Sequence, residues 1–309
     1  MTADAINTEH VYALVVGIEK YKGGSELDLN GPAKDALKFA IWLLDRGVKP
    51  EHIHLFLSPL DRNVEVLEKA KAKGLTPIPA ERCKIEDAIN CKFNSKKECG
   101  DLLHVFWAGH GFITTTDTRT RRLLFADTDN TNNRNLNFDS LFQALKTFAR
   151  GSGFKQQYFW IDACANNPYK NLLYQTMKVE AAASKFTTNA EQGRAVQFAL
   201  FAAAEYEVAK GESAEETGRF SRAVLNELQG IKSLLPEFKA LAEKIEAEGE
   251  ISNVNFWIYN NGSTQEVDRS ASTDLDIFSK QIFDWFGALD FKHEGLPRRE
   301  GNYVEWIIQ

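Results

Sequence analysis

Residues 102–109 read Leu-Leu-His-Val-Phe-Trp-Ala-Gly and lead directly into His110 and Gly111. A second run, Gln-Tyr-Phe-Trp-Ile-Asp-Ala at residues 157–163, leads directly into Cys164. Short apolar runs rich in aromatic and β-branched residues are typical of buried strands. In an open α/β sheet, reactive groups collect at the carboxyl ends of parallel strands. Two adjacent strands would therefore bring His110 and Cys164 into one cleft.

A thiol beside an imidazole is the minimum chemistry of a cysteine peptidase. The imidazole lowers the pKa of the thiol, the thiolate attacks a carbonyl carbon, and the imidazolium then protonates the leaving amine. Taken alone, Cys164 would usually be a small buried hydrophobic residue and His110 part of a turn. Their shared position after two predicted strands favours the catalytic interpretation. The backbone N–H groups of Gly111 and Cys164 are then the predicted oxyanion hole, because donors there are aimed where negative charge develops.

The rest of the chain alternates predicted strands and helices. Further strands are predicted at residues 11–18, 52–57, 196–203 and 253–259, and helices at residues 33–44, 84–91, 138–148, 218–228 and 237–246. This alternation implies right-handed crossovers and a mainly parallel six-stranded sheet with helices on both faces. Thr114–Arg122 lacks periodicity and Glu180–Arg194 is polar, so both are predicted to be exposed loops beside the cleft.

The composition is that of an ordinary soluble globular protein. The chain has 309 residues, 43% of them hydrophobic, and a formal net charge of −6, which argues against a nucleic-acid partner. No apolar run approaches the roughly 20 residues that cross a membrane, and the N-terminal residues do not resemble a signal peptide. The 4 cysteines are too few for a disulfide scaffold, so we expect reduced thiols in a cytoplasmic protein.

The two strand-end motifs resemble the active-site motifs of the caspase family. Caspases place their histidine about 50 residues before an alanine–cysteine pair, and His110 and Cys164 follow that order. Similarity to metacaspases and related prokaryotic caspase-like proteins extends to residues 15–21, 29–36, 202–207 and 218–225. The resemblance covers residues 10–262 and implies the three-layer caspase-hemoglobinase fold, an α/β fold. It also implies a peptidase domain at residues 1–262, followed by a C-terminal extension of unknown role at residues 263–309.

The departures from caspases concern the substrate. Caspases that cut after aspartate carry glutamine where this chain has Asp162 and arginine where it has Leu29. Metacaspases carry aspartates at the positions of Asp162 and Asp35, and there they line a pocket for Arg or Lys. The resemblance therefore implies that both residues bind a basic side chain, which suits the short charge-assisted bonds between carboxylate and guanidinium. Two other roles stay open, with Asp162 as the cap of a turn and Asp35 as an exposed residue in the first turn of a helix. Lys210 falls near a further aspartate-binding arginine of caspases, which keeps an aspartate-specific protease open.

The resemblance also sets expectations for regulation. The chemistry needs no cofactor and no metal, and calcium activation, which many metacaspases require, stays open without a visible ligand set. We expect a protein substrate and an upstream activating protease or regulatory partner, but no nucleic-acid or membrane partner. Caspase-like proteins of this compact type often act in regulated cell death or defence, so the resemblance implies such a role. Cutting in the predicted loops would activate a zymogen, and the candidate sites are Arg119, Arg121, Arg122, Lys185 and Arg194. A non-catalytic adaptor with the same fold is the remaining alternative.

Overall fold

The computed structural model describes most of the chain up to residue 163 and parts of the remainder. The described residues are 7–93, 100–114, 120–129, 131–148, 153–163, 183–184, 186, 193–202, 211–212, 217–236, 241, 244–245, 255–259, 299–300 and 303–307. Across these ranges, none of the helices has both the length and the apolar character needed to cross a membrane.

The described part of the chain alternates strands and helices. The strands are β1 (Val11–Ile18), β2 (Ile53–Ser58), β3 (Ile78–Pro79), β4 (Gly100–Ala108), β5 (Gly111–Ile113), β6 (Arg121–Leu124), β7 (Asn135–Asn137), β8 (Thr147–Phe148), β9 (Phe154–Asp162), β10 (Ala183–Ser184), β11 (Gly193–Arg194), β12 (Val196–Phe201), β13 (Gly211–Glu212), β14 (Thr217–Gly218), β15 (Asn255–Tyr259), β16 (Arg299–Glu300) and β17 (Tyr303–Ile307). The α-helices are α1 (Pro32–Leu44), α2 (Glu65–Ala72), α3 (Arg82–Ala88), α4 (Phe138–Lys146) and α5 (Arg219–Gly230). Short 3-10 turns lie at Thr8–His10, Ser25–Leu27, Pro50–His52 and Asp61–Asn63, and a π-helical turn lies at Ile89–Phe93.

The main sheet has the strand order β16-β17-β15-β12-β9-β4-β1-β2-β3. The six strands from β12 to β3 are parallel, whereas β15 pairs antiparallel with β12 and is followed by β17 and β16. The six strands predicted from the sequence correspond to β1, β2, β4, β9, β12 and β15. The prediction of a mainly parallel sheet is therefore confirmed, with β3, β16 and β17 as additional short strands.

Side chains of the central strands enter two separate cores, one on each face of the sheet. Phe106 and Trp160 pack on one face with α1, α2 and α5. Trp107 and Phe159, their neighbours in sequence, pack on the other face with α3 and α4. Burial on both faces explains why these strands read as continuous apolar runs rather than alternating ones. The three-layer α/β fold predicted from the sequence is confirmed.

A smaller sheet has the strand order β10-β7-β6-β5. Its strand β6 lies where the sequence predicted a loop. Thr114–Arg122 was expected to be an exposed loop, but Arg121 and Arg122 begin β6 and are only 6% and 2% exposed. The guanidinium of Arg121 lies 4.1 Å from the ring centroid of Phe201. A planar, weakly hydrated guanidinium stacks on aromatic rings, so arginine can occupy a buried strand that pattern analysis assigns to solvent.

Helix α1 crosses β1 at close range, and Gly17 makes this possible. A Cβ atom at Gly17 would lie 2.4 Å from the carbonyl oxygen of Pro32 and 2.6 Å from the Cβ of Ala36. Any larger residue would push the start of α1 away from the sheet. The close approach brings Asp35, in the first turn of α1, towards the carboxyl ends of the strands.

Candidate active site

The two strands that carry the predicted site motifs are neighbours in the sheet. Strands β4 and β9 pair in parallel with Ala108 opposite Asp162, and the N–H of Gly109 donates to the carbonyl of Asp162 at 3.0 Å. His110 therefore follows directly beside the end of β9, as the sequence predicted for the two motifs. Cys164, two residues beyond Asp162, lies outside the described residues, and so does Lys210.

His110 is buried and held through its imidazole. Its Nε2 lies 2.9 Å from the carbonyl oxygen of Leu27, the last residue of the 3-10 turn Ser25–Leu27. A carbonyl only accepts, so Nε2 carries the proton and Nδ1 carries the lone pair. Burial lowers the pKa of His110 to about 4, against the opposing effect of the bond to Leu27. The imidazole is thus neutral at pH 7, which is the form that takes a proton from a thiol.

Tyr21 fixes the backbone of the same histidine. The Tyr21 hydroxyl accepts a hydrogen bond from the His110 N–H at 2.7 Å, and the two ring centroids are 5.0 Å apart. Tyr21 is itself buried. The sequence analysis included Tyr21 in the stretch 15–21 that resembles metacaspases but assigned it no role, because a tyrosine shortly after a strand carries no distinctive pattern.

Gly111 is oriented away from the neighbouring strand of the small sheet. The Leu124 N–H donates to the carbonyl of His110 at 2.9 Å, and Gly111 is the next residue, opposite Leu123. In an antiparallel ladder, hydrogen-bonded and non-bonded pairs alternate, so the Gly111 N–H points away from β6. This orientation is compatible with the oxyanion-hole role, which stays a prediction.

Asp162, at the end of β9, is partly buried and bonded to the start of α5. Its Oδ2 accepts from the Ser221 hydroxyl at 2.5 Å and from the Ser221 N–H at 3.2 Å. Withdrawal from water raises the pKa of Asp162 to about 6; the Ser221 hydroxyl opposes this shift, and the nearby Asp35 carboxylate adds to it. The carboxylate also accepts an N–H from the first turn of α5, where the helix itself provides no acceptor.

Asp35 is fully buried beneath the same segment of chain. Its Oδ1 accepts from the Thr217 hydroxyl at 2.7 Å and its Oδ2 from the Gly218 N–H at 3.0 Å. Lys38, one turn further along α1, places its Nζ 3.2 Å from Oδ1. Burial raises the pKa of Asp35, and the bonds from Thr217 and Lys38 oppose that rise. The alternative interpretation of Asp35 as an exposed helix residue is wrong, because α1 turns it inward towards α5.

The structure therefore brings the two predicted acidic residues to one place. Asp35 from α1 and Asp162 from β9 both bind the segment Thr217–Ser221, which comprises β14 and the first turn of α5. Sequence analysis found the two carboxylates and missed the hydroxyl donors Thr217 and Ser221. Serine and threonine around a predicted helix start were the available signal, since such residues commonly bond there.

The structure describes three of the five predicted cleavage sites, and two of these three are buried. Arg119 and Lys185 lie outside the described residues, and Arg194 lies in β11. The predicted exposure of Arg121 and Arg122 is wrong, because both are buried in β6. Within the described ranges, no group of three or more His, Cys, Asp or Glu side chains could hold a metal ion.

These features define a class of protein. It has an α/β domain in which one strand is followed by a histidine and the neighbouring strand is followed by a cysteine. The family model described as "Caspase domain" matches residues 10–266. The chain therefore belongs to the caspase-domain family, a family of cysteine-type peptidases, which confirms the resemblance found in the sequence.

Similar proteins were found both by sequence and by structure. A protein described as "Probable protease" from a Desulfuromonadales bacterium is 30% identical over 164 residues, which are 52% of this chain and 19% of that protein. The chain thus matches under a fifth of that relative's length. Protein GSU0716 from Geobacter sulfurreducens aligns with a TM-score of 0.46 at 14% identity, covering 77% of this chain and 88% of the other. Caspase-1 from Spodoptera frugiperda aligns with a TM-score of 0.46 at 14% identity, covering 79% of each chain.

Proposed function

We propose that this protein is a cysteine endopeptidase that cuts protein substrates after Arg and, less efficiently, after Lys. Cys164 is the nucleophile, and His110 is first its base and then the acid that protonates the leaving amine. The N–H groups of Gly111 and Cys164 stabilise the developing oxyanion. Asp162, supported by Asp35, binds the basic side chain that precedes the cut.

The observation that carries the proposal is the pair of carboxylates beside the strand end of His110. Asp162 and Asp35 come from different elements and meet at Thr217–Ser221, and the Asp35 carboxylate adds to the rise in the pKa of Asp162 that burial causes. When two carboxylates lie close together and are shielded from water, a cation between or beside them stabilises their charged forms. Lys38 supplies such a cation at Asp35, and a substrate guanidinium would supply one at Asp162.

The two acids differ in accessibility, and this separates their roles. Asp162 is partly exposed, whereas Asp35 is fully buried. In the part of the chain that the structure describes, both hydrogen bonds to Asp162 go to Oδ2, so Oδ1 is the oxygen for a substrate N–H. Asp35 then acts from beneath through its negative charge. Lysine should bind less well, because an ammonium cannot match the bidentate geometry of a guanidinium.

Activation is proposed to follow from cutting of a loop by the enzyme itself or by an upstream protease. Of the candidate positions, Arg119, Lys185 and Arg194 remain, since Arg121 and Arg122 are buried. Mass spectrometry of the purified wild type beside Cys164→Ala reports self-cleavage and the residue at which it occurs. The family likeness supports a role in regulated cell death or defence, and the low number of cysteines supports a cytoplasmic location. Activity in the presence and absence of a calcium chelator tests calcium activation.

Two other functions are separated by a direct experiment. An aspartate-specific protease is suggested by Lys210, and a non-catalytic adaptor by the family fold alone. Matched fluorogenic peptides with Arg, Lys or Asp before the cut are offered to the wild type and to Cys164→Ala. Our proposal predicts thiol-dependent cleavage in the order Arg, Lys, Asp. A preference for Asp would favour the first alternative, and no cleavage of any peptide or protein would favour the second.

A further inference from the structure

Glu19 is a buried carboxylate that lies outside the catalytic machinery described above. It directly follows β1 and is 0% exposed. Its Oε1 faces the N–H groups of Gly31 at 3.2 Å and Ala33 at 3.3 Å. Its Oε2 faces the N–H of Leu60 and the side-chain amide of Asn63, both at 2.9 Å. One side chain therefore joins the segment before α1 to the segment that follows β2.

The same residue anchors the segment that holds His110. The backbone carbonyl of Glu19 accepts the N–H of Leu29 at 2.8 Å, while its carboxylate binds Gly31. Leu27, two residues before Leu29, provides the carbonyl that binds Nε2 of His110 at 2.9 Å. Glu19 thus fixes the stretch of chain that contains Leu27, whose carbonyl orients the imidazole of His110.

Glu19 also substitutes for a missing cap at the start of α1. The residue before the helix is Gly31, which has no side chain to accept the free N–H groups of the first turn. The Glu19 carboxylate accepts the N–H of Ala33 instead, and a negative charge is favourable at that end of a helix. Asp35 lies two residues further along, so the position of this acid depends on the same contact.

We propose that Glu19 is a positioning residue that sets both the orientation of His110 and the position of Asp35. It touches neither substrate nor the reacting atoms. The role assigned to Asp35 rests on the proposed function, whereas the role towards His110 requires only that His110 activates Cys164. Loss of Glu19 should therefore weaken thiol activation and substrate binding together, beyond any loss of stability.

The test is Glu19→Gln, which keeps the shape and removes one acceptor. All four groups that contact the Glu19 carboxylate are hydrogen-bond donors. Whichever way the side-chain amide of the glutamine variant is turned, its NH₂ group faces two of these donors and cannot accept from them. The alkylation of Cys164 by iodoacetamide is followed by peptide mass mapping between pH 5 and pH 9, with the exposed Cys83 as internal reference. We expect Cys164 to react about 10- to 100-fold more slowly at pH 7, as misplacement of a catalytic group implies, and Cys83 to be unchanged.

A matched control is Gln157→Ala, which removes another buried hub of hydrogen bonds. Gln157 donates to the carbonyls of Leu145 and Phe154 at 2.7 and 3.1 Å, on the face of β9 opposite Asp162. It should lower the melting temperature without changing the pH profile of Cys164 alkylation. The proposal is overturned if both variants alter that profile equally, or if neither does.

Two further measurements keep the test decisive. If Glu19→Gln does not fold, Asn63→Ala removes only one partner of Oε2, and slower alkylation of Cys164 supports the proposal while an unchanged rate overturns it. With the arginine peptide, Glu19→Gln should lower kcat and raise KM. A wild type that cuts no basic peptide would refute the proposed specificity, yet the alkylation comparison would still decide the role of Glu19 towards His110.

Discussion

Ser221 donates two hydrogen bonds to one oxygen of Asp162, with its Oγ at 2.5 Å and its backbone nitrogen at 3.2 Å from Oδ2. The first turn of α5 is thereby attached to the end of β9. This contact orients the carboxylate, and both hydrogen bonds that the described residues make to Asp162 use the same oxygen. Because Ser221 lies far from Asp162 in sequence, the shape of the proposed pocket depends on how α5 docks on the sheet.

Asp162→Asn should lower kcat/KM for an arginine peptide while preserving the fold. A hydrogen bond to a charged group contributes about 1.5–3 kcal/mol. At 1.36 kcal/mol per tenfold, its loss corresponds to roughly a 10- to 150-fold decrease. Asn keeps an oxygen that Ser221 can bind and removes the charge. Steady-state kinetics with matched Arg, Lys and Asp peptides measure the effect.

The control for this variant is Asp101→Asn, at the opposite end of the neighbouring strand β4. Asp101 pairs with Lys155 at 2.7 Å on the exposed surface, so its loss should leave peptide cleavage unchanged. Unaltered arginine cleavage in Asp162→Asn, or a wild type that prefers aspartate, would contradict the basic-pocket assignment.

Cys164→Ala and His110→Ala should each abolish peptidase activity, and the double variant should be little worse than either single variant. The two groups act as one unit in the same proton transfer, so their effects are not additive. Activity assays under enzyme excess measure the residual rate, and circular dichroism checks the fold. Substantial turnover by Cys164→Ala would exclude this thiol as the nucleophile.

The strand-end position of His110 and Asp162 could be predicted from the sequence because buried parallel strands leave a simple apolar pattern. The partners of these residues could not. Thr217 and Ser221 meet the acids only through the docking of α5, a contact between distant parts of the chain. Arg121 sits in a buried strand because its guanidinium stacks on Phe201, whereas pattern analysis assigns arginine to solvent.

Glu19 shows the same limit in another way. A glutamate directly after a strand has the signature of an exposed turn. Its burial becomes visible only when two segments fold over it and provide four N–H donors. Sequence patterns record the preference of a residue for water, and a folded backbone can reverse that preference by satisfying each polar atom.

The preference for arginine should fall as the pH decreases through about 6. The pKa of Asp162 is raised to about 6, so its carboxylate is charged above this pH and neutral below it. The ratio of kcat/KM for an arginine peptide to that for its neutral citrulline counterpart isolates this titration, because the dyad acts on both peptides alike. A ratio that stays constant between pH 5 and pH 8 would contradict the role of the Asp162 charge.

The raised pKa of Asp162 also predicts how the stability of the fold depends on pH. Lowering the pH should stabilise the folded state, although it weakens the preference for arginine. The folded pKa of about 6 exceeds the ordinary value of 3.8, so the folded state binds the proton more tightly than the unfolded state. The stabilising contribution is complete below 3.8 and is lost as the pH rises through about 6. Asp162→Asn should therefore raise the melting temperature more at pH 7.5 than at pH 5. Calorimetry at the two pH values measures the difference, and an equal shift at both would contradict the raised pKa.

Gly218→Ala should impair arginine cleavage by displacing Asp162 rather than by straining the backbone. Gly218 has φ −71° and ψ 142°, a conformation that alanine adopts freely. A Cβ atom there would lie 2.3 Å from Oδ2 of Asp162, so the carboxylate must move from its bonds to Ser221. We expect a decrease of about tenfold or more in kcat/KM for the arginine peptide, as for loss of one charged hydrogen bond. Gly230→Ala, at the other end of α5, is the matched control, because no atom of the residues that the structure describes lies within 4 Å of its Cβ position. Equal kinetics in the two variants would show that the contact between Gly218 and Asp162 does not shape the pocket.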